Sequence, residues 1–289
     1  MQLQQEKLNI LDCVFNGYLQ KAKDLTDLWL FEQTLYTSQT RRLIFQYFPF
    51  KPHSCGLDAG TGFGALPLEL AGQMPITVHG VDLDQPKLDV AKELQAQLHD
   101  LHYFYPGSEV QFHNEDLYSL SFDDGQFDFV ISRFVYQHLQ NPEAVTNQFY
   151  RIMSAEGYIC IIDVDDQFSI SYPPSEALQM LEKAFADLQS LRGGDRYVGR
   201  KISTYLQCAG FEICATVIQP QAQHVLSKPN DISTRFLLNR LNSVKKDIVK
   251  NSILDESTFD NYIYQIANQK NMFQFNSNAL VIVIAKKPE

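Results

Sequence analysis

The chain predicts an α/β fold: an open, mostly parallel sheet with helices on both faces. Three observations carry that prediction. Short apolar runs alternate with helical patterns from about residue 55 to 219, the signature of repeated strand–helix units. Val130-Ile131, Ile159-Cys160-Ile161-Ile162 and residues 281–284 are apolar without alternation, as strands covered on both faces are. Leu57-Asp58-Ala59-Gly60-Thr61-Gly62-Phe63-Gly64 reads as a buried strand turning sharply into a helix, with glycines where backbone must come close to a ligand.

Each element follows in order. Residues 1–48 are helical in pattern, with Leu8, Leu11, Val14, Phe15 and Tyr18 at helical spacing; a later helix over about 38–48 stops at Pro49. Residues 55–59 form the first strand and 64–71 a helix, with Pro67 in its first turn. Residues 76–83 are the second strand, and Asp84 caps a helix running to about residue 98, with Pro86 in its first turn. Residues 110–113 and 127–132 are the third and fourth strands. Asn141-Pro142-Glu143 starts a helix ending before Gly157, and residues 158–164 are the fifth strand. Ser175 opens another helix after Pro173-Pro174; one over 198–209 stops at Gly210. Residues 211–219 and 279–286 supply the last two strands. Between them, 220–278 reads as a mostly helical insertion carrying Phe236, Phe259, Tyr262, Tyr264, Phe273 and Phe275, which pack it onto the sheet or line an apolar cavity.

Composition narrows the function. The chain has 289 residues, 45% of them apolar, with a net charge of −10 and a pI near 5.2. That balance opposes a nucleic-acid partner, which needs a basic face. No apolar run is long enough to span a membrane, and the N-terminus lacks a signal-peptide pattern, so a cytoplasmic protein is expected. Five scattered cysteines without a C-x-x-C pair read as buried free thiols, and no structural zinc is expected.

The glycine turn marks a nucleotide-type cofactor site. Gly60-x-Gly62-x-x-Ala65, with Asp82 downstream, also satisfies the dinucleotide fingerprint, so the turn alone leaves NAD and S-adenosylmethionine open. Three features tilt the choice. Asp58, at the carboxyl end of the first strand, would repel a pyrophosphate and attract an ammonium. Asn114-Glu115-Asp116-Leu117 puts another acid at the same sheet edge, where it can accept from an adenine amino group. Ser132-Arg133-Phe134-Val135-Tyr136-Gln137-His138-Leu139 follows the fourth strand.

In this order, these signals resemble the class I S-adenosylmethionine-dependent methyltransferases, and in particular the "type 11" domain of quinone-biosynthesis and other small-molecule enzymes. Val81-Asp82-Leu83-Asp84, Asp116-Leu117, Phe127-Asp128, Arg151-Ile152-Met153-Ser154-Ala155-Glu156-Gly157-Tyr158 and Gly194-Asp195-Arg196-Tyr197-Val198-Gly199-Arg200 carry the resemblance over about 52–219 plus the last strand. Ala155-Glu156 stands where the family usually has Pro-Gly, a local departure. The resemblance implies a Rossmann-like, seven-stranded sheet whose last strand, 279–286, runs antiparallel between strands five and six. It implies a core of 51–219 plus 279–289, an N-terminal helical cover over 1–50 and an inserted substrate cover over 220–278.

It also implies roles. Asp58 stands near the methionine ammonium; Gly60, Gly62 and Gly64 let the methionine portion lie on the loop. Asp82 takes both ribose hydroxyls, having two acceptor oxygens for a vicinal diol. Leu83 packs on adenine, Asp116 bonds its amino group with Leu117 alongside, and Ser132 and Arg133 lie under the methionine portion. Tyr36, Gln39 or Arg42 of the N-terminal helices could reach the cofactor carboxylate. Methyl transfer needs alignment, exclusion of water and removal of any proton on the nucleophile. His138 is the candidate base and Tyr136 the weaker alternative, orienting substrate or packing. Asp163, Asp165 and Asp166 follow strand five, but Arg133 opposes a divalent metal, so no metal is expected; these acids pair with Arg133, hold a substrate cation or face solvent. The reading is methyl transfer to a small-molecule acceptor, with S-adenosylhomocysteine as product. An NAD-dependent oxidoreductase and a non-catalytic methyltransferase-like binding subunit are the rivals.

Overall fold

The computed structural model describes residues 2–21, 28–226, 232–268 and 273–289. Four helices open the chain: α1 (Gln2–Lys21), α2 (Leu28–Tyr36), α3 (Ser38–Arg42) and α4 (Ile44–Tyr47). The alternating core follows as β1 (Cys55–Ala59), α5 (Ala65–Gln73), β2 (Thr77–Asp82), α6 (Gln85–Asp100), β3 (Glu109–Asn114), β4 (Phe127–Arg133), α7 (Pro142–Ile152) and β5 (Met153–Val164). Then come β6 (Ile170–Tyr172), α8 (Glu176–Leu191), α9 (Ile202–Ala209), β7 (Glu212–Leu226), α10 (Ile232–Lys250), α11 (Glu256–Ala267) and β8 (Phe273–Lys286).

Local chemistry fixes several boundaries. Asp84, Asn141 and Ser175 each cap the following helix, their side-chain oxygens accepting from the backbone N–H of Lys87, Ala144 and Leu178. Gly210 ends α9 in the left-handed conformation. Where strand five begins, Glu156 takes a φ of +65° and its N–H donates to the Lys287 carbonyl at 3.0 Å.

The sheet order is β3-β2-β1-β4-β5-β8-β6, with β7 paired to β8. Strands β1 to β5 are parallel, and β8 runs antiparallel to β5, β6 and β7. The expected antiparallel last strand thus lies between strands five and six of the sequence pattern. Two features exceed expectation. A short strand, β6, adds an eighth member among the described residues. Residues 220–226 and 274–278, expected within a helical insertion, instead prolong β7 and β8 as a ribbon whose register reaches Leu226 opposite Phe273. The insertion's described helices are α10 and α11; its residues 227–231 and 269–272 lie outside the described residues.

Two apolar layers sandwich the sheet. Phe129, Ile131, Cys160 and Ile162 face a cluster with Leu11, Phe15, Phe31, Leu68 and Leu94. Leu57, Val130, Ile159 and Val283 face the other, with Phe149, Ile202 and Leu206. A third cluster joins α8, α10 and α11 through Leu181, Phe185, Leu241, Ile248 and Phe259. The N-terminal helices are tied to α5 by charge: Glu69, fully buried, receives Arg41 Nε at 2.7 Å and Arg42 Nε at 2.6 Å, and Arg42 also holds Asp12. A buried carboxylate tolerates that position only with both partners in place. The five cysteines are unpaired, yet only Cys160 is buried; Cys13, Cys208 and Cys214 are exposed. Cys214 faces outward because the ladder slips a residue between Ile213 and Ala215, turning the side chain from the core. None of the described helices is long and apolar enough to cross a membrane.

Candidate active site

Parallel register brings the carboxyl ends of five strands to one rim. Ala59 pairs with Val81 and with Ser132, Asp82 with Asn114, and Arg133 with Ile162. The order reverses between β1 and β4, and the crevice outside such a switch point is where open α/β sheets receive ligands. A cleft of about 610 Å³ opens there.

Its floor is the glycine turn. The N–H groups of Gly60 and Thr61 donate to the Val81 carbonyl at 2.8 and 2.9 Å, strapping the turn to the end of β2. Gly62 N donates to Asp82 Oδ2 at 2.7 Å, and Asp84 N to Asp82 Oδ1 at 3.0 Å. Each Asp82 oxygen keeps acceptor capacity beyond these bonds. Gly62 has a φ of +55°, and a Cβ there would meet nothing within 4 Å, so its open side faces space a ligand can enter. At the opposite wall Leu83 is 70% exposed, an unusual state for leucine beside a polar rim. Asp116 accepts from Tyr118 N at 3.0 Å through Oδ1, which fixes its carboxylate at the cleft edge.

The other end of the cleft is cationic. Arg133 Nε and Nη2 are buried without a hydrogen-bond partner among the described residues, and the guanidinium lies 4.2 Å from the Phe134 ring. Burial, with Arg41 nearby, pulls its pKa down to about 9. Below it, burial pushes Asp58 up to about 7, while Arg133 acts in the opposite direction. Ser132 Oγ is likewise buried without a partner. A cluster of unsatisfied polar atoms at a rim is the expected state of a site that a polar ligand completes.

Beyond the cleft lies a smaller chamber of about 180 Å³. Leu30, Gln33, Phe134 and His138 line both spaces. Phe134 takes a φ of +62°, costly for a residue with a Cβ, and its N–H donates to the Ile162 carbonyl at 2.9 Å. Asp163 is buried beneath this turn, accepts from Gln137 N at 3.2 Å and is pushed by burial up to about 7. Gln189 Nε2 sits 2.8 Å from the Gln137 carbonyl and 2.7 Å from His138 Nδ1. The atom facing a carbonyl oxygen must be the amide nitrogen, so its second hydrogen points to Nδ1. The neutral His138 ring therefore carries its proton on Nε2. Burial, Arg196, Lys87, Arg192 and Arg240 hold its pKa down to about 4.

Residues 57–161 match the family model described as a methyltransferase domain. Over this stretch the sequence is that of a methyltransferase domain. Part of the chain, 120 residues or 42%, is 30% identical to phosphoethanolamine N-methyltransferase 2 of Caenorhabditis elegans, and the match spans 26% of that relative's length. A putative methyltransferase of Bacillus halodurans superposes with a TM-score of 0.59 at 16% identity, covering 87% of this chain and 100% of that one. Phosphoethanolamine N-methyltransferase 2 of Haemonchus contortus, solved with phosphomonomethylethanolamine and S-adenosylhomocysteine, superposes with a TM-score of 0.53 at 18% identity, covering 95% of this chain and 60% of that one.

Within the methyltransferase domain, Gly60, Gly62, Asp82, Leu83, Asp116, Leu117 and Arg133 come together on the cleft wall. Asp58, Gly64 and Ser132 stand behind it. Gly64 is needed for packing: a Cβ there would lie 2.6 Å from Phe112 and 2.9 Å from Ala91. Tyr136 is a correction. Its ring is fully buried on the far side of the sheet and its hydroxyl pairs with Thr146 at 2.8 Å, so it reaches neither space. His138 lies where the sequence puts it, at the junction, with Nδ1 held by Gln189.

Of the N-terminal candidates, Arg42 is spent on Glu69 and Asp12, Gln39 lines neither space, and Tyr36 stacks on Phe236 at 5.0 Å in the chamber wall. The acids after strand five do not pair with Arg133. Asp165 is clamped by Arg200 Nε and Nη2, and Asp166 by Arg196 at 2.8 and 2.7 Å. Both arginines come from the Gly194–Arg200 motif, where the sequence signal was present but its partners were not legible. Gln33, Thr34, Gln189 and Arg240 carried no sequence signal at all.

Proposed function

We propose that the cleft binds S-adenosylmethionine and that the adjoining chamber holds a small-molecule acceptor of its methyl group. The observation that carries this reading is the junction: the cleft and the chamber share Phe134 and His138, so a donor in one and an acceptor in the other meet at a single point. The residues fit the cofactor along its length. Asp82 receives the ribose diol with its remaining lone pairs, and Leu83 offers an apolar face to adenine. Asp116, held by Tyr118 N, accepts from the adenine amino group with Leu117 alongside. Gly60 and Gly62 carry the methionine portion. The unpartnered Arg133 takes its carboxylate, while Asp58, behind the turn, favours the ammonium.

When bound, the sulfonium supplies an electrophilic methyl group and a neutral thioether as leaving group. The protein's own part is alignment and exclusion of water by Phe134, Leu30 and the chamber walls. His138 Nε2–H can hold an acceptor oxygen by hydrogen bond, leaving a second lone pair of that oxygen free for in-line attack. A net charge of −10 favours a small acceptor over nucleic acid.

Titration calorimetry tests the reading. S-adenosylhomocysteine binds at one site and NADH does not; NADH binding with no response to S-adenosylhomocysteine would replace it with the oxidoreductase. S-adenosylhomocysteine binding with no methyl transfer to any of a broad metabolite panel would support the binding subunit instead.

A further inference from the structure

Helix α8 presents Glu182 and Phe185 to the chamber, and Gln189, one turn further along the same face, reaches His138 at its edge. Gln189 marks the inner end through its contact with His138. Phe185 lies one turn away, about 6 Å along the axis. Its ring is flanked by two guanidiniums, Arg196 at 5.3 Å and Arg240 at 4.4 Å.

Most charges around the chamber are already matched. Asp165 is satisfied by Arg200, and Asp166 by Arg196, whose remaining nitrogen bonds the Gln137 side-chain oxygen. Two groups are left. The side chains of Arg240 and Glu182 make no hydrogen bond and no ion pair with the described residues, although each feels the other's charge. They are not equivalent. A carboxyl can neutralise itself by taking a proton, and burial already pushes Glu182 in that direction. Burial draws Arg240 down to about 10, which leaves it charged at neutral pH. Arg240 is half-buried, and its guanidinium opens onto the chamber with no hydrogen bond or ion pair to the described residues, so an anion entering the chamber is the partner its donors can take.

We propose that the acceptor carries one anionic group, a carboxylate or phosphate, and that Arg240 receives it in the chamber, one helical turn from the methyl-transfer point. The planar fork of N–H donors suits both anions, and the Phe185 face fixes the plane of the fork. Trp29, Phe236 and Leu241 enclose the acceptor's apolar body. The small volume and the short span between Arg240 and His138 select a compact molecule whose nucleophile lies a few bonds from its anion. This inference rests on the proposed function for the chamber's role, while anion capture by Arg240 stands on its own geometry.

The chain's single tryptophan lines the chamber, so its fluorescence reports occupancy directly. The probes are butyrate and butyl phosphate, against butyramide and butylamine, on the full chain loaded with S-adenosylhomocysteine. The two anions shift Trp29 emission at concentrations at least tenfold below the amide and the amine. Arg240→Gln removes that preference, Arg240→Lys retains part of it, and S-adenosylhomocysteine affinity is unchanged in both. An equal response to all four probes, no response to the anions, or a preference for butylamine overturns the proposal, and none of these comparisons on the unmodified chain depends on a variant folding. Failure of S-adenosylhomocysteine to bind would overturn the methyl-transfer reading instead; the anion preference is then read on the unloaded chain.

Discussion

The cleft at the strand ends and the chamber beside it share a wall yet are built in different ways. The cleft is made from strand ends and the turns beside them: Gly60 to Phe63, Asp82-Leu83, Glu115 to Tyr118 and Arg133 to Val135. Each segment lies within a few residues of a parallel strand whose register is set by the sheet. The chamber takes α2, the turn at Gln137-His138, one face of α8, the Arg196 loop and α10, set against strand residues Val164, Gln221 and Asn278 to Leu280. Position in the cleft is enforced by the ladder; in the chamber the ladder holds only the strand side, and the helical walls are held by side-chain packing and by the charge clamps of Arg196 and Arg200. The difference teaches that backbone register can hold one space fixed while side-chain packing shapes most of the space beside it.

Variants can break or sharpen that contrast. The largest effect belongs to Asp82. Replacing it by alanine removes the ligand-facing acceptors and the clasp on Gly62, and S-adenosylhomocysteine affinity falls by about 100-fold, as for loss of charge-assisted bonds. Calorimetry measures it, and Trp29 response to butyl phosphate stays as before; a joint loss would mean that the two spaces are one cooperative unit.

Arg133→Met separates binding from stability. A buried guanidinium without a partner destabilises the free protein, so the variant melts at an equal or higher temperature, while S-adenosylhomocysteine binding weakens by about tenfold. A lower melting temperature together with unchanged affinity would remove Arg133 from the site.

The next effect is on pH dependence. The pKa of His138 is lowered from an ordinary 6.5 to about 4 in the folded chain. The unfolded chain therefore binds more protons between those values. The stability this group contributes is present above pH 6.5 and is lost as pH falls toward 4. Denaturant unfolding from pH 4 to 7 checks it, with His138→Gln flattening the slope across that window. Ring nitrogen shifts in NMR give the tautomer; a proton on Nδ1 would restore His138 as a base.

Tyr136→Phe gives the smallest change. Loss of the hydroxyl bond to Thr146 lowers stability by about 1 kcal/mol. Neither S-adenosylhomocysteine affinity nor Trp29 response moves.

The cleft was legible because its chemistry is local. The glycine turn, Asp82 two residues before a helix cap, and Asp116 after β3 are each fixed by neighbours along the chain. Tyr136 and His138 show where that legibility stops. They are two residues apart in one short turn, and sequence places both beyond strand four. The φ of +62° at Phe134 and the 3-10 turn that follows send Tyr136 to the far side of the sheet and His138 to the junction. The tautomer of His138 is set by Gln189, 51 residues away. No spacing rule relates those two positions.

By itself the sequence determined the parallel core, the antiparallel closing strand by its resemblance, the caps and the cofactor rim, since backbone periodicity and turn geometry are decided by adjacent residues. Only the tertiary structure decided that β7 and β8 run on as a ribbon, that Asp165 and Asp166 are occupied by arginines, and that Arg240 lies beside Phe185 with no hydrogen bond or ion pair to the described residues. Those outcomes depend on which distant side chains meet in a low-dielectric space, where charges must find partners or remain conspicuously without them.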